Sequence, residues 1–162
     1  MKKIPYLFIS FIILINLGAC TGYKPIFGSS NLEFKIADYS ISGDKNLGNQ
    51  IYAKLYNLSR SAKKNSQAKN IYLLIDASKE KKATAKDSAG NVLGYRMNLY
   101  ASITIKDMMS GNQILSENFT FSSTYKAQEQ YFDTVKLEKQ TTENLIENLY
   151  QDLLIKLSAN LL

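Results

Sequence analysis

From Met97 to Lys106 apolar and polar residues alternate without a break: Met97, Leu99, Ala101, Ile103 and Ile105 against Asn98, Tyr100, Ser102, Thr104 and Lys106. Successive side chains of a strand point to opposite faces, so this run predicts a strand with one face in a core and the other in water. Met108-Met109-Ser110-Gly111-Asn112 supplies a Gly-containing reversal. Beyond it Leu115, Phe119, Phe121 and Tyr125 share one face, opposite Ser116, Asn118, Thr120 and Ser122. Two alternating runs joined by a short Gly-containing turn predict an antiparallel hairpin. Once one face of such a pair is apolar, something must cover it, and the rest of the chain supplies the cover.

Leu32 to Tyr39 alternates as well, with Leu32, Phe34 and Ile36 against Glu33 and Lys35, and reads as a half-buried strand. Ser42-Gly43-Asp44 then punctuates the chain, with Asp44 placed to cap a helix. Leu47, Ile51, Leu55 and Leu58 recur at spacings of four, four and three, which predicts an amphipathic helix over 46–61. A polar, basic connector follows from Ser61 to Lys69. Ile71–Ser78 (IYLLIDAS) is continuously apolar enough to predict an interior strand covered on both faces. We read 71–85 as one long strand that leaves the core, becomes basic and turns near Gly90. After about Gln128 the period becomes helical: Leu145, Leu149, Leu153 and Leu157, flanked by Ile146, Tyr150 and Leu154, form a wide apolar stripe.

The predicted order is therefore β-α-β-β-β-α, an α+β two-layer domain with a four-stranded mixed sheet and two helices packed on one face. A strand-helix-strand start implies a parallel pair, and the last three strands an antiparallel meander. The open face would carry Tyr100, Thr104, Asn118 and Thr120.

The first residues obey different rules. Lys2 and Lys3 precede an almost wholly apolar run from Ile4 to Leu17, closed by Gly18-Ala19-Cys20. Some fourteen apolar residues fall short of the roughly 20 needed to span a bilayer core. The layout is that of a secretory signal with a small-residue cleavage site. Its ending on Cys resembles the lipobox of bacterial lipoproteins, in which the Cys thiol is acylated and the chain is cut just before it. A signal anchor, or an ordinary signal with an incidental cysteine, is the alternative. We expect 1–19 to be the lipoprotein signal peptide, 20–31 the lipidated N-terminus and tether, and 32–162 the folded domain.

Loss of residues 1–19 leaves 143 of the 162 residues, with 18 basic and 14 acidic side chains and a net charge of +4. Such an excess suits polyanions, and export removes nucleic acid from the candidates. Cys20 is the only cysteine, so no disulfide supports the fold. The chain has no histidine and no tryptophan. Without His or a second Cys, a Ser-His-Asp triad or a Cys-His pair cannot be assembled, and the commonest metal ligands are missing. We expect neither an enzyme nor a metal or other cofactor. Ser-Lys chemistry has candidates such as Ser61 and Lys64, and a basic polar connector supplies such a pair by chance.

Tyr23-Lys24-Pro25-Ile26-Phe27-Gly28 sets three large apolar side chains in an otherwise Gly/Ser-rich tether and is expected to pack or pair with something, if only as a first strand fragment. The lipobox followed at once by Gly22 and this hexapeptide resembles the LptE family of lipopolysaccharide-assembly lipoproteins, in its alphaproteobacterial form. Tyr95-Arg96-Met97-Asn98-Leu99 is similar to that family's lead into its third strand, and Ser123-Thr124-Tyr125 with Tyr131 to its entry into the C-terminal helix. The predicted element order matches the family's fold. The Leu/Asn-rich C-terminal helix, with Val135 to Gln140 reading VKLEKQ, departs from the Ala/Arg-rich family pattern.

The resemblance implies an outer-membrane lipoprotein on the periplasmic side, held through N-terminal acyl chains on Cys20. It implies a plug within an LptD-like β-barrel that meets arriving lipopolysaccharide. Thr21 after the cysteine fits transfer to the outer membrane. Lys79, Lys81, Lys82, Lys86 and Arg96 form the candidate lipopolysaccharide-binding set at a basic hairpin tip, diluted by Glu80 and Asp87. The alternatives are a solvated hairpin end for these residues, and a different lipid-anchored periplasmic adaptor or secretion-accessory lipoprotein for the chain.

Overall fold

Period-two and period-3.6 segments sort into two layers. The computed structural model describes residues 34–61 and 68–161; the signal, Cys20, the tether with its Tyr23–Gly28 hexapeptide, and Lys64 lie outside the described residues. The elements are β1 (Phe34–Gly43), α1 (Lys45–Ser61), β2 (Lys69–Lys86), β3 (Val92–Asp107), β4 (Gln113–Lys126) and α2 (Tyr131–Leu161). The sheet order is β1-β2-β3-β4, with β1 parallel to β2 and the other pairs antiparallel. This is the α+β arrangement expected from the sequence: a four-stranded mixed sheet with two helices covering one face.

Register explains which face. Ile71, Leu73, Ile75 and Ala77 of β2 stand beside Asp107, Ile105, Ile103 and Ala101 of β3, and these beside Leu115, Glu117 and Phe119 of β4. The apolar members of these rows are buried, together with Leu47, Ile51 and Leu55 of α1 and Leu145, Leu149, Leu153 and Leu157 of α2. Burying each such side chain contributes about 1.5–3 kcal/mol. The other face of β2 carries half-buried Tyr72 and Leu74 and then exposed Asp76 and Ser78. This strand is thus covered on one face, not two. Its continuous apolar look comes from Tyr72 and Leu74, which lie beside Lys106 and Thr104 on the open side.

β1 runs four residues further than its alternation predicts, because a bulge intervenes between Ile36 and Asp38. The extra residue switches parity, so that Ile36 before it and Ile41 after it both pack on the core. Asp44 caps α1: its Oδ1 accepts the Leu47 N–H at 3.0 Å. Just before it Gly43 adopts φ +73°, and the next amide, of Asp44, donates to the Ala77 carbonyl at 2.7 Å.

α2 lies along β4, to which it is joined by a short connection. Two charged contacts on the covered face tie them. Near one end, Lys81 and Tyr125 meet Glu138; near the other, Glu117 pairs with Lys156 at 2.7 Å. Eighteen helical residues from 138 to 156 rise about 27 Å. Eight strand residues from 117 to 125 also rise about 27 Å. The two periodicities thus bring both pairs into register on antiparallel elements, which is why charged residues are tolerated on this side. No helix among the described residues is long and apolar enough to cross a membrane.

A Cβ on Gly43 would lie 2.2 Å from the Ala77 carbonyl oxygen, whereas one on Gly90, at φ +89°, meets nothing within 4 Å. Gly90→Ala should therefore cost about 1–2 kcal/mol, the backbone penalty alone, and Gly43→Ala distinctly more because β1 must also part from β2. Urea denaturation of the two variants, compared with the parent chain, checks the difference.

Candidate binding surface

β1 ends at Gly43 beside Ala77, yet β2 continues to Lys86. From Ser78 onward the β2–β3 hairpin therefore projects past β1. Apolar residues on β2 stop at the same point, and Lys79-Glu80-Lys81-Lys82 begins. The turn that ends it is held by Asp87, whose carboxylate accepts the backbone N–H groups of Ala89 and Asn91 at 2.9 and 2.8 Å. These bonds and the Asn91 side chain hold its carboxyl below the usual range.

Alternation distributes the five predicted cations over both faces. Lys79 and Lys81 lie opposite Leu99 and Met97, on the side covered by the helices. Lys82 lies directly opposite Arg96 on the open side. Lys86 stands beside Val92, after two register shifts. The structure thus brings Lys82 and Arg96 together and separates them from Lys79 and Lys81.

Lys81 is engaged. Its Nζ is 2.5 Å from Glu138 Oε2 and 4.3 Å above the Tyr95 ring, which stacks on Tyr125 at 5.5 Å between centroids. Tyr125 Oη donates to the same Glu138 oxygen at 3.3 Å. The Glu138 bond is the main reason the Lys81 ammonium is held above its ordinary pKa, while burial pushes the Tyr125 hydroxyl up. Lys81 therefore straps the hairpin to α2. Lys82 pairs with Glu80 at 2.9 Å, which raises the pKa of Lys82 and lowers that of Glu80. Glu80 is held in turn by Asn98, whose Nδ2 donates at 3.4 Å. Among the described residues Lys79, Lys86 and Arg96 form no ion pair.

The open face continues from this tip in cross-strand rows. Lys82, Arg96 and Thr124 form one, Glu80, Asn98 and Ser122 the next, then Ser78, Tyr100 and Thr120, then Asp76, Ser102 and Asn118. The last two rows line a shallow depression of ≈ 290 Å³. Thr104 and Ser116 hydrogen-bond across the strands at 3.1 Å. Such a surface offers hydroxyl, amide, carboxylate and aromatic groups to a hydrated partner, flanked by cations at one end. Tyr100, Thr104, Asn118 and Thr120 are where alternation predicts them. Asp76, Ser78 and Ser102 extend that face; Ser102 is a polar position of the Met97–Lys106 alternation, and the signal for Asp76 and Ser78 was the polar end of Ile71–Ser78. Lys126, exposed beside Gly94, joins the cationic end only through the β3–β4 register, which no local pattern in the sequence reports. Cys20 and Lys64 lie outside the described residues, and the Ser61 side chain is likewise not described.

No protein-family model and no curated protein matches the sequence. Solved structures do. Rare lipoprotein B from Shewanella oneidensis is similar with a TM-score of 0.50 and 15% identity, over 75% of this chain and 93% of that one. A minor lipoprotein from Acinetobacter baumannii has a TM-score of 0.52 and 16% identity over 78% and 94%. Lipoprotein B from Nitrosomonas europaea has a TM-score of 0.57 and 14% identity over 82% and 88%. At such identities the likeness establishes a shared fold: this chain has the fold of these three lipoproteins.

Replacing Lys81 by Met should destabilise the domain by about 0.5–1 kcal/mol at neutral pH, a modest value because the pair is partly solvated. The folded-state pKa of Lys81 is raised, so its contribution is fully present below the unfolded value of about 10.4 and is lost as pH rises through the folded one. Urea titrations should show the gap between parent and Lys81→Met constant from pH 7 to 9 and closing in stronger alkali.

Proposed function

We propose that this chain is a lipid-anchored, LptE-like component of the outer-membrane lipopolysaccharide translocon, plugging and helping to assemble an LptD-like β-barrel. The observation that carries the reading is the lipoprotein fold on a chain whose N-terminus holds the Cys20 lipobox followed by Gly22–Gly28. In this reading the acylated Cys20 holds the protein on the periplasmic side of the outer membrane, with two or three acyl chains for durable attachment. The domain enters the barrel lumen, which is polar in such proteins. Its open sheet face, with Tyr100, Thr104, Asn118 and Thr120, suits that environment better than an apolar one would.

Lipopolysaccharide presents phosphates and carboxylates, and charge-assisted contacts to these are the strong ones. Lys82, Arg96 and Lys86, with Lys126, would meet them on the open side and at the hairpin end. Lys79 would meet them only from the covered side. Lys81 is already held by Glu138, so it would serve the hairpin's position more than the ligand.

Purification of the native protein in mild detergent should bring down a large outer-membrane β-barrel, and recovery of the lone chain under every mild detergent would overturn the reading. Replacing Lys82, Lys86 and Arg96 together by Ala should weaken lipopolysaccharide binding by roughly tenfold or more and flatten its salt dependence. Lys81→Ala should act mainly on stability. Equal binding losses for the two variants, with folding intact, would show that the two faces of the hairpin do not differ in role.

A further inference from the structure

The β3–β4 turn lies at the end of the sheet opposite the basic hairpin, and every backbone N–H from Asp107 to Asn112 has a partner. Asp107 N–H donates to the Asn112 carbonyl at 2.8 Å and Gly111 N–H to the Asp107 carbonyl at 2.9 Å. The Asp107 carboxylate accepts both Met109 N–H and Ser110 N–H at 2.8 Å, and these bonds hold its carboxyl below the usual range. Met108 N–H donates to the Asn70 carbonyl at 2.8 Å, which fastens the turn to the start of β2. On this stiff support the side chains of Met108 and Met109 are 53% and 90% exposed. A single exposed apolar residue is ordinary, but two adjacent methionines on a turn whose N–H groups are all bonded, one of them almost wholly in water, make an apolar tip that the described residues leave largely uncovered.

Three facts bear on what covers them. First, the chain enters the domain at this end: Phe34 stands beside Lys69, one residue before the Asn70 that holds the turn. Thirteen residues lie between Cys20 and Phe34, a reach of up to about 45–50 Å over the fourteen Cα–Cα steps when extended. Second, three lysines lie at this end of the sheet: Lys35 beside Asn70, Lys69 itself, and Lys106 beside Tyr72, none of them in an ion pair among the described residues. The Asp107 and Asp38 carboxylates, bonded to backbone N–H groups of the turn and of Tyr39, keep their charges, so three lysines against two carboxylates leave this end net positive. Third, two side chains on a turn fall far short of the roughly 1,200 Å² that a stable protein interface buries. A small apolar tip beside three lysines fits an anionic bilayer surface, where unbranched thioether side chains adapt to acyl chains and ammonium groups meet phosphates.

We propose that the Met108–Met109 turn is a second, protein-borne contact with the bilayer, inserted at its interface beside the N-terminal lipid. It belongs to the anchored chain by itself, before any barrel is met, and would fix the domain's orientation, which the N-terminal lipid alone would not. The inference rests on the lipid-anchor half of the proposed function and not on the barrel half.

The test uses the full acylated chain in vesicles of phosphatidylethanolamine and phosphatidylglycerol, with acylation of Cys20 verified by mass spectrometry. Met109→Cys supplies a free thiol for an environment-sensitive fluorophore, and Ala89→Cys at the far hairpin serves as its counterpart. The label at 109 should shift to the blue and lose intensity to brominated acyl chains, less so when phosphatidylcholine replaces phosphatidylglycerol, while the label at 89 stays in water. A label at 109 that keeps its aqueous emission in vesicles overturns the proposal. So does a blue shift that needs no vesicles and grows with protein concentration, which would make the occupant a second copy. An unacylated Cys20 would instead overturn the anchor reading on which the proposal stands. Met108→Ser combined with Met109→Ser, with a label at Ser110→Cys, should abolish the quenching without changing the circular dichroism spectrum.

Discussion

β2 and β3 pair from Ile71 beside Asp107 to Lys86 beside Val92, and every other element takes its place from that ladder. The pairing puts Ile71, Leu73, Ile75 and Ala77 in line with Ile105, Ile103 and Ala101, which creates one apolar face. A face of that kind must be covered, and both helices come to the same side because only that side is apolar. A slip of one residue would move the whole apolar set into water, so the register is strongly determined over the core. It loosens only where burial ends, and the shifts between Ala83 and Lys86 occur there.

The same ladder outruns its cover. β1 stops at Gly43, and the hairpin beyond Ala77 must be held by other means. Lys81 does this by reaching Glu138 across Tyr95 and Tyr125, while Glu117 and Lys156 hold the far part of α2. Each pair is partly solvated, so its worth lies less in energy than in alignment of a long helix on an apolar face that by itself does not fix the helix's position along it. The molecule is thereby polarised along its length. One end carries Lys82, Arg96, Lys86 and Lys126 on a projecting hairpin; the other receives the N-terminal segment and displays Met108 and Met109.

Much of the fold was legible because burial writes itself into local periods. The run from Met97 to Ile105 could only be a strand, and Leu145 to Leu157 only a helix, since each period places its apolar residues on one side of one element alone. Asp44 announced the start of α1 for an equally local reason, as a side-chain acceptor for an N–H within three residues. The failures were local in the same sense. Ile71–Ser78 looked doubly buried because Tyr72 and Leu74 are apolar, yet what lies above a strand is not recorded in the strand. The β1 bulge escaped notice because an inserted residue only appears as a change of parity when a partner is present.

The candidate site divides along the same line. Sequence alone determined the element order, the apolar faces of β3 and of both helices and the presence of five cations between Lys79 and Arg96, all of which follow from neighbours along the chain. Only the tertiary structure decided that these cations part, with Lys81 drawn to Glu138 fifty-seven residues away and Lys82 set opposite Arg96. It likewise brought Lys126 to the basic end and set Met108 and Met109 beside the chain's point of entry. Charge tells which residues are able to pair; distance in space decides which do, and that distance exists only after register and helix placement have closed the fold.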